Sequence, residues 1–119
     1  MILNPAFEHD LQEFLDGPLC NKWLSNHQFE IYVRKGIHNV NGVSHKFLNI
    51  ANIEVHEELR GRGIFKKVLA LCQQMTPFDG VYVESILSPE LFFYLSKLTK
   101  EEKGWTYTGG TNSFAWMVE

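Results

Sequence analysis

The sequence has few of the residues that mark several common classes of protein. Its only two cysteines, Cys20 and Cys72, are too few for a disulfide framework, and since both lie in segments with a helical pattern we expect buried free thiols. No apolar run approaches the ~18 residues of a membrane span. The N-terminal residues carry early acids such as Glu8 and lack a signal-peptide pattern, so we expect a cytoplasmic protein with no membrane partner.

Positive charge is also scarce. There are 11 Lys and Arg against 14 Asp and Glu, and the net charge is −3, whereas nucleic-acid-binding domains are usually basic. A nucleic-acid partner is therefore not expected, although Arg60, Arg62, Lys66 and Lys67 form a local basic cluster. The histidines show no metal-ligand spacing, so no metal site is predicted.

The composition is that of a folded domain. The chain has 119 residues, 45% apolar and 21% charged, without repeats or linkers, and this length suits a single domain over residues 1–119.

The N-terminal half begins with helical signals. Asn4-Pro5 is a capped helix start, and the helix is expected to end at Gly17-Pro18. A short second helix is predicted on four apolar residues: Leu19, Cys20, Trp23 and Leu24. A strand with alternating apolar residues follows from Phe29.

Two turns and a long strand follow. Asn41-Gly42 is a strong hairpin signal, and Lys35-Gly36 is a second possible turn that leaves the number of strands open by one. The segment from Phe47 to Val55 is predicted as a strand. Strict alternation would place these residues on one of its faces: Phe47, Asn49, Ala51, Ile53 and Val55.

The C-terminal half alternates helices and strands. A helix is predicted from about Gly63 to Met75, with a buried stripe formed by Ile64, Val68, Leu71, Cys72 and Met75. The later elements are a strand over Val81–Ile86, a helix capped by Ser88, and a closing pair of strands around Gly109-Gly110. The order of elements predicts one α/β domain with a mixed sheet.

The segment between Val55 and the following helix has the composition of an anion site. It contains Gly61 and Gly63, which allow close backbone approach, and Arg60 and Arg62, which carry forked donors for phosphate. Unpaired N–H groups at a helix start attract anions. The nucleotide-triphosphate loop is absent, and the dinucleotide fingerprint lacks its third glycine because Lys66 occupies that place.

The run from Val55 to Ile64 resembles the acetyl-CoA-binding signature of the GNAT superfamily of N-acetyltransferases. That signature is a strand-ending Val followed by Arg/Gln-x-x-Gly-x-Gly/Ala, and the hexad here is Arg60, Gly61, Arg62, Gly63, Ile64 and Phe65. The motif covers about Ile53–Leu69, and the element order resembles the family over most of the chain. The resemblance implies a GNAT-like central mixed sheet flanked by helices, with the first strand missing or truncated.

The resemblance also implies acetyl-CoA, or another acyl-CoA, as the cofactor. The hexad backbone would hold the pyrophosphate, and the strand edge at Ile53 and Val55 would pair with the pantetheine arm where two parallel strands separate. Phe65 stands where the family has a small residue, so it would either crowd the cofactor or turn into the core.

Catalytic candidates follow from the same resemblance. Glu84 is the expected base, because Val83-Glu84 with Ser88 four residues later resembles a stretch of the N-terminal-amine acetyltransferases; the alternative is an exposed or ion-paired carboxylate. Tyr94 is the candidate acid, although an ungapped match places that position at Ser96, and Tyr94 also lies on an apolar stripe. Glu54 is the second candidate base and is expected to be structural.

Two functions are therefore expected. The first is an acetyl-CoA-dependent N-acetyltransferase in which a primary amine, of a small molecule or a protein, attacks directly. The second is a non-catalytic GNAT-like binding or regulatory module acting through a protein partner, with Phe93 or Trp116 at the contact. Nucleic-acid contact through the basic cluster is a weaker third hypothesis, and a homodimer is a further possibility.

Overall fold

The computed structural model describes residues 2–84, 88–101, 103–109 and 112–118. The elements, in chain order, are α1 (Pro5–Asp16), β1 (Asn21–Ser25), β2 (Phe29–Val40), β3 (Val43–Val55), a 3-10 turn (Glu57–Leu59), α2 (Ile64–Met75), β4 (Gly80–Val83), α3 (Pro89–Lys100), β5 (Trp105–Gly109) and β6 (Ser113–Met117). The end of the strand predicted over Val81–Ile86 and part of the turn predicted at Gly109-Gly110 lie outside the described residues.

The strands form a mixed six-stranded sheet in the order β1-β2-β3-β4-β6-β5. The β3–β4 pair is parallel, with α2 as its crossover, and the other neighbouring pairs are antiparallel. Mixed α/β architecture is therefore confirmed. Residues 2–4 form no strand, so the sheet of the described chain begins after α1, as the sequence predicts.

Local signals fix the helix ends where the sequence places them. The Asn4 side chain accepts a hydrogen bond from the Ala6 N–H at 2.9 Å, and Pro5 occupies the first helical position. The Ser88 hydroxyl accepts from the Leu91 N–H at 3.4 Å at the start of α3. These caps confirm the predicted helix starts.

The predicted second helix is wrong. Residues 21–25 form β1, which pairs with β2 in the register Trp23↔Tyr32, with Leu24 buried and Trp23 exposed. The spacing of these four apolar residues is helical, but the segment is short, and pairing with the edge of β2 overrides its local pattern. Cys20 lies outside any helix and is exposed, contrary to expectation, whereas Cys72 is buried as predicted.

A single tight turn, at Asn41-Gly42, connects β2 and β3. Val40 and Val43 close the ladder around Asn41 and Gly42, whose φ angles of 52° and 81° fit a type I′ turn. The possible turn at Lys35-Gly36 is wrong, because β2 continues through both residues and remains paired with β3. The long partner strand holds Gly36 in the ladder against Phe47.

A β-bulge interrupts the alternation of β3. Val33 lies opposite Ile50 and Tyr32 opposite Asn52, so Ala51 is an extra residue in the ladder. Beyond this extra residue, each side chain of β3 points to the face opposite to the one that strict alternation would give. Ile53 and Val55 therefore pack with the core residues Leu48 and Ile50. The predicted grouping of Ile53 and Val55 with Phe47 and Asn49 is therefore wrong.

The two faces of the sheet differ in what covers them. Buried residues of all three α-helices join one core cluster with strand residues such as Ile31, Leu48 and Val83. A second cluster contains strand residues alone, among them Phe47 and Tyr82. Within the described chain no helix packs on this second side, which we call the open face. Its members include Trp23, Tyr32, Arg34, His38, Phe47, Asn49, Tyr82 and Ala115.

Candidate functional site

The described ladder between the parallel strands β3 and β4 ends at the bulge. Their ladder ends at Ile50↔Val83, and the last hydrogen bond runs from the Glu84 N–H to the Ile50 carbonyl at 3.1 Å, whereas β3 continues to Val55. Among the described residues no strand pairs with β3 beyond Ile50 on that side, and we call this stretch the gap. Residues 85–87, which follow Glu84, lie outside the described residues, so the expected separation of two parallel strands stays a prediction. The extra residue Ala51 lies where the described ladder ends.

The strand edge that faces this gap carries backbone groups that pair with no strand in the described part of the chain, although the Val55 carbonyl accepts a hydrogen bond from Arg60 Nε at 2.9 Å. The His56 N–H donates to the Gln28 carbonyl at 2.9 Å, which makes Gln28 and His56 a hydrogen-bonded pair of the β2–β3 ladder. Because such pairs alternate with non-bonded ones, the backbone groups of Ile53 and Val55 point away from β2 toward the gap. The edge can therefore accept an extended ligand as a substitute strand.

The turn after Val55 leads the chain into α2. Gly61 and Gly63 have φ angles of 79° and 78°, which only glycine adopts at little cost. A Cβ added at either glycine would meet no atom within 4 Å, so the backbone lines open space. Gly63 caps α2, whose first N–H groups have no partner inside the helix and point toward this space.

A pocket of about 320 Å³ lies at this turn. Its lining joins the end of β3, the turn, the start of α2 and one side of α3: Val55, Leu59, Arg60, Gly61, Gly63, Ile64, Phe65, Lys66, Leu91 and Tyr94. Most of the predicted site residues are therefore brought together. The pocket is not lined by three of the predicted residues: Ile53, Arg62 and Glu84. It is lined by three residues that the sequence did not identify as part of the site: Leu59, Lys66 and Leu91.

Phe65 turns its ring into the core while one part of it lines the pocket. The side chain is only 7% exposed, and its ring meets the Tyr94 ring edge-on with centroids 6.0 Å apart. Of the two alternatives left by the sequence, packing into the core is the observed one. The ring forms a wall of the pocket between α2 and α3.

Tyr94 lies half-buried on that wall. Burial raises the pKa of its phenol above the usual value, and the nearby Glu101 carboxylate raises it further. The Lys66 ammonium lies 5.3 Å from the centre of its ring. The hydroxyl therefore stays protonated at neutral pH, which is the state that a proton donor requires.

The basic residues of the turn are not equivalent. Arg60 folds back on the strand: its Nε donates to the Val55 carbonyl at 2.9 Å, and its guanidinium lies 3.9 Å from the Glu54 carboxylate. Arg62 and Lys67 are exposed and take part in no ion pair among the described residues. Arg60 thus braces the strand end, and Arg62 remains accessible for an anion.

Glu84 lies directly after β4, where the described β3–β4 ladder ends. Its carboxylate forms an ion pair with Arg34 of β2 at 3.2 Å, and its side chain is 19% exposed. Sequence reasoning missed Arg34, which is 50 positions away. The two residues come together across β3 on the open face, and nothing local in the sequence signals that contact.

We also searched the described residues for a metal site and for a membrane-spanning helix. The described residues include no group of three or more His, Cys, Asp or Glu side chains that could hold a metal ion. None of the described helices combines the length and apolar character that crossing a bilayer would take.

The comparisons with known proteins identify the fold. No family model and no curated protein sequence matches the chain. Among solved structures, the AtaT Y144F mutant toxin bound to the C-terminus of the antitoxin AtaR has a TM-score of 0.54 and 11% identity, with 76% of this chain and 58% of that chain covered. The same toxin complex with acetyl-CoA also has a TM-score of 0.54, at 10% identity and the same coverage. The KacTA–DNA complex has a TM-score of 0.51 and 10% identity over 92% of this chain and 79% of that chain.

These neighbours are GNAT-fold toxins, and the chain has a GNAT-like fold. The chain spans less than two thirds of the AtaT toxin structure that it matches, and sequence identity is low throughout. The likeness therefore establishes the architecture, in agreement with the mixed sheet and flanking helices that the sequence predicts.

Proposed function

We propose that this chain is an acetyl-CoA-dependent N-acetyltransferase that moves an acyl group to a primary amine. The observation that carries the proposal is the glycine turn that opens into a pocket beside the gap between β3 and β4. A second support is the neighbour that was solved in complex with acetyl-CoA.

The residues present fit an acyl-CoA. Backbone N–H groups at Gly63 and the start of α2, with Arg62, would hold the pyrophosphate, since they combine open space with the positive end of a helix. The backbone at Ile53 and Val55 would pair with the amide groups of the pantetheine arm, with the Val55 carbonyl shared with Arg60 Nε. When bound, the cofactor supplies the acyl group as an activated thioester.

Glu84 and Tyr94 have complementary proton-transfer roles in this proposal. Glu84 would take a proton from the acceptor ammonium at the gap, and Tyr94 would donate a proton to the departing thiolate. An Arg34 guanidinium nitrogen lies 3.2 Å from the Glu84 carboxylate and holds that carboxylate in place. Backbone N–H groups where the strands separate would polarise the acyl carbonyl.

Calorimetric titration with acetyl-CoA tests cofactor binding. We expect saturable binding by the native chain and none by Gly63→Glu, because the carboxylate and its side chain would fill the pocket mouth. The matched control is Gly42→Glu: its φ of 81° imposes the same backbone strain, in open space at the hairpin turn. No heat at millimolar acetyl-CoA, or equal affinity in both variants, would contradict the assignment.

The pH profile of turnover tests the base. If Glu84 takes the acceptor proton, Glu84→Gln should lower turnover by roughly two to four orders of magnitude and flatten its rise toward alkaline pH. Acetyl-CoA affinity should be unchanged, since Glu84 does not line the pocket. A profile that keeps the native shape removes Glu84 from the mechanism.

A non-catalytic module is the second candidate function. The Arg34–Glu84 ion pair favours it, because a carboxylate oxygen that already binds an arginine of the chain is not free to accept from an amine. This alternative predicts acetyl-CoA binding, or binding of a protein partner, without turnover of any amine. Single-turnover assays with radiolabelled acetyl-CoA and a panel of amines distinguish it from the enzyme.

A further inference from the structure

The side-chain amide of Asn49 is buried on the open face with its hydrogen bonding incomplete. Asn49 is 2% exposed, and its Oδ1 lies 3.0 Å from His38 Nε2, whereas its amide nitrogen has no hydrogen-bond partner among the described residues. No fully enclosed side-chain nitrogen or oxygen of the described chain lacks a partner, so this nitrogen touches solvent through a narrow opening. A buried donor without an acceptor costs free energy, and a bound oxygen would recover it.

Gly36 leaves a hollow beside this amide. It pairs with Phe47 inside the β2–β3 ladder, with no register shift and no positive φ at that position, so the backbone there does not require glycine. An added Cβ would lie 3.3 Å from His38 Nε2 and 3.6 Å from Asn49 Nδ2, and Gly36 is partly exposed. A glycine inside a strand often marks a place where a ligand approaches closely. The missing side chain therefore keeps the amide accessible from the open face.

Two contacts hold the sides of this hollow in place. The His38 ring stacks on the Tyr82 ring, with centroids 3.8 Å apart and planes within 3° of parallel. The Tyr82 hydroxyl in turn lies 3.1 Å from Thr108 Oγ1. Because His38 is stacked on one ring and bonded to the Asn49 oxygen, the amide is held with its nitrogen toward the hollow.

The charge around the hollow favours a neutral ligand group. Arg34 lies directly opposite Asn49 in the ladder, and its charge is offset by the Glu84 carboxylate at 3.2 Å. The open donor is a neutral amide and is not part of a net positive site. A neutral carbonyl oxygen therefore suits it better than a carboxylate, whose desolvation would have no opposite charge to offset it.

The distance from the hollow to Glu84 sets the length of that ligand. Asn49 pairs with Tyr82, and Glu84 lies two residues further along, which is about 7 Å in the strand direction. An amine at Glu84 and a carbonyl oxygen at Asn49 would be separated by a similar distance. About four methylene groups between the amine and the carbonyl carbon span it, at roughly 1.3 Å per bond.

We propose that the hollow over Gly36 is a carbonyl subsite for the acceptor, in which the Asn49 amide nitrogen donates to the neutral carbonyl oxygen of an ω-amino amide. The proposal rests on the proposed acetyltransferase function for the word acceptor and for the amine at Glu84. The carbonyl subsite itself rests on Asn49 and Gly36 alone. Neither residue lines the cofactor pocket.

An NMR titration with 5-aminopentanamide, without acetyl-CoA, tests the subsite directly. We expect a saturable shift of the Asn49 side-chain NH₂ signals, which are assigned by their loss in Asn49→Leu. Backbone amide shifts give the affinity of each variant. Asn49→Leu keeps the side-chain volume and should weaken binding roughly threefold to tenfold, because one neutral hydrogen bond is lost. Asn49 signals that do not move at a hundred-millimolar amide would mean that the hollow holds water only and would overturn the proposal.

Two further variants show whether the hollow is responsible. Gly36→Ala should also weaken binding by at least threefold, because its methyl group would stand beside the amide nitrogen. The matched control is Asn39→Leu, at an exposed asparagine of the same strand whose side chain bonds Ser44, and it should keep the native affinity within twofold. Circular dichroism verifies that each variant is folded. Equal affinities in Gly36→Ala, Asn49→Leu and the control would overturn the subsite.

A series of ligands tests the length and the charge. Among ω-amino amides with one to five methylene groups, the affinity should be highest at about four, and an optimum at one would contradict the spacing to Glu84. Pentylamine lacks the carbonyl and should bind more weakly than 5-aminopentanamide; equal binding would overturn the proposal. Tighter binding of 5-aminopentanoate would assign the hollow to a carboxylate and also overturn it.

Acetyl-CoA titrations of the same variants keep this proposal separate from the cofactor assignment. Asn49→Leu and Gly36→Ala should bind acetyl-CoA with native affinity, since both positions lie outside the pocket. Amide binding with no acetyl-CoA binding would sink the acetyltransferase and leave the carbonyl subsite. Acetyl-CoA binding with no effect of either variant on the amide would sink the subsite and leave the cofactor site.

Discussion

At the scale of single residues, the two cysteines show how context decides chemistry. Cys20 is exposed before β1, whereas Cys72 is buried in α2, where burial raises the pKa of its thiol from 9.0 to about 12. The periodicity of α2 predicts the buried thiol. The exposure of Cys20 could not be predicted, because it depends on β1 replacing the expected helix.

The raised pKa of Cys72 predicts a loss of stability at alkaline pH. The unfolded thiol ionises above about pH 9 while the folded one stays protonated, so the unfolded state binds fewer protons and the free energy of unfolding falls as pH rises from about 9 to 12. The expected slope is roughly 1 kcal/mol per pH unit. Urea unfolding at several pH values should show this slope in the native chain.

Two cysteine variants test whether Cys72 causes the loss of stability at alkaline pH. Cys72→Ala should be less stable at neutral pH, because it leaves a small cavity, but its alkaline decline should be shallower. Cys20→Ala, at an exposed thiol, should keep the native slope. Parallel curves for Cys72→Ala and the native chain would mean that other groups cause the decline.

At the scale of elements, prediction succeeded where the signal is local. The Asn4 and Ser88 caps and the Asn41-Gly42 turn each act through neighbours in the sequence, and the structure confirms all three. The identity of β1 and the bulge at Ala51 depend on pairing with β2, so residues far apart in the sequence decide them. The Arg34–Glu84 contact escaped prediction for the same reason.

The contact between β4 and β6 makes Gly80 a critical position. A Cβ at Gly80 would overlap the Trp116 carbonyl of the neighbouring strand, and backbone cannot move aside cheaply. We expect Gly80→Ala to destabilise the fold by several kcal/mol, on the order of the largest single-residue effects. The free energy of unfolding in urea measures the loss.

A second glycine of the sheet provides the control. At Gly36 the atom nearest to an added Cβ would be a side-chain nitrogen of His38 at 3.3 Å, and no backbone atom lies as close. Gly36→Ala should therefore change stability by no more than about 1 kcal/mol. Similar losses in the two variants would show that the close β4–β6 approach is not the cause.

At the scale of the whole molecule, the site depends on parts that are distant in the chain. The turn and the start of α2 line the pocket that we propose as the cofactor site, and a short motif in the sequence points to them. Leu91 and Tyr94 close the pocket from α3, and their position follows only from the packing of α3 beside α2. The sequence motif thus predicts the side of the pocket formed by the turn and α2. The side formed by α3 can be identified only from the three-dimensional structure.

Ligand binding should stabilise this assembled pocket as one unit. At about a hundred times its dissociation constant, acetyl-CoA should add roughly 2.7 kcal/mol to the free energy of unfolding, which corresponds to a rise in Tm on the order of 10 °C. Differential scanning calorimetry over a series of cofactor concentrations measures this shift. Gly63→Glu should show none, and a native Tm independent of acetyl-CoA would contradict the pocket assignment.

The extra residue at Ala51 has a consequence for what β3 can lose. It turns the far end of the strand over, so that Ile53 and Val55 face the helices and Glu54 faces away from them. Deletion of Ala51 would restore strict alternation, because a shift of one residue moves every later side chain to the other face of the sheet. The shortened strand would then direct Glu54 into the core and Ile53 and Val55 out of it.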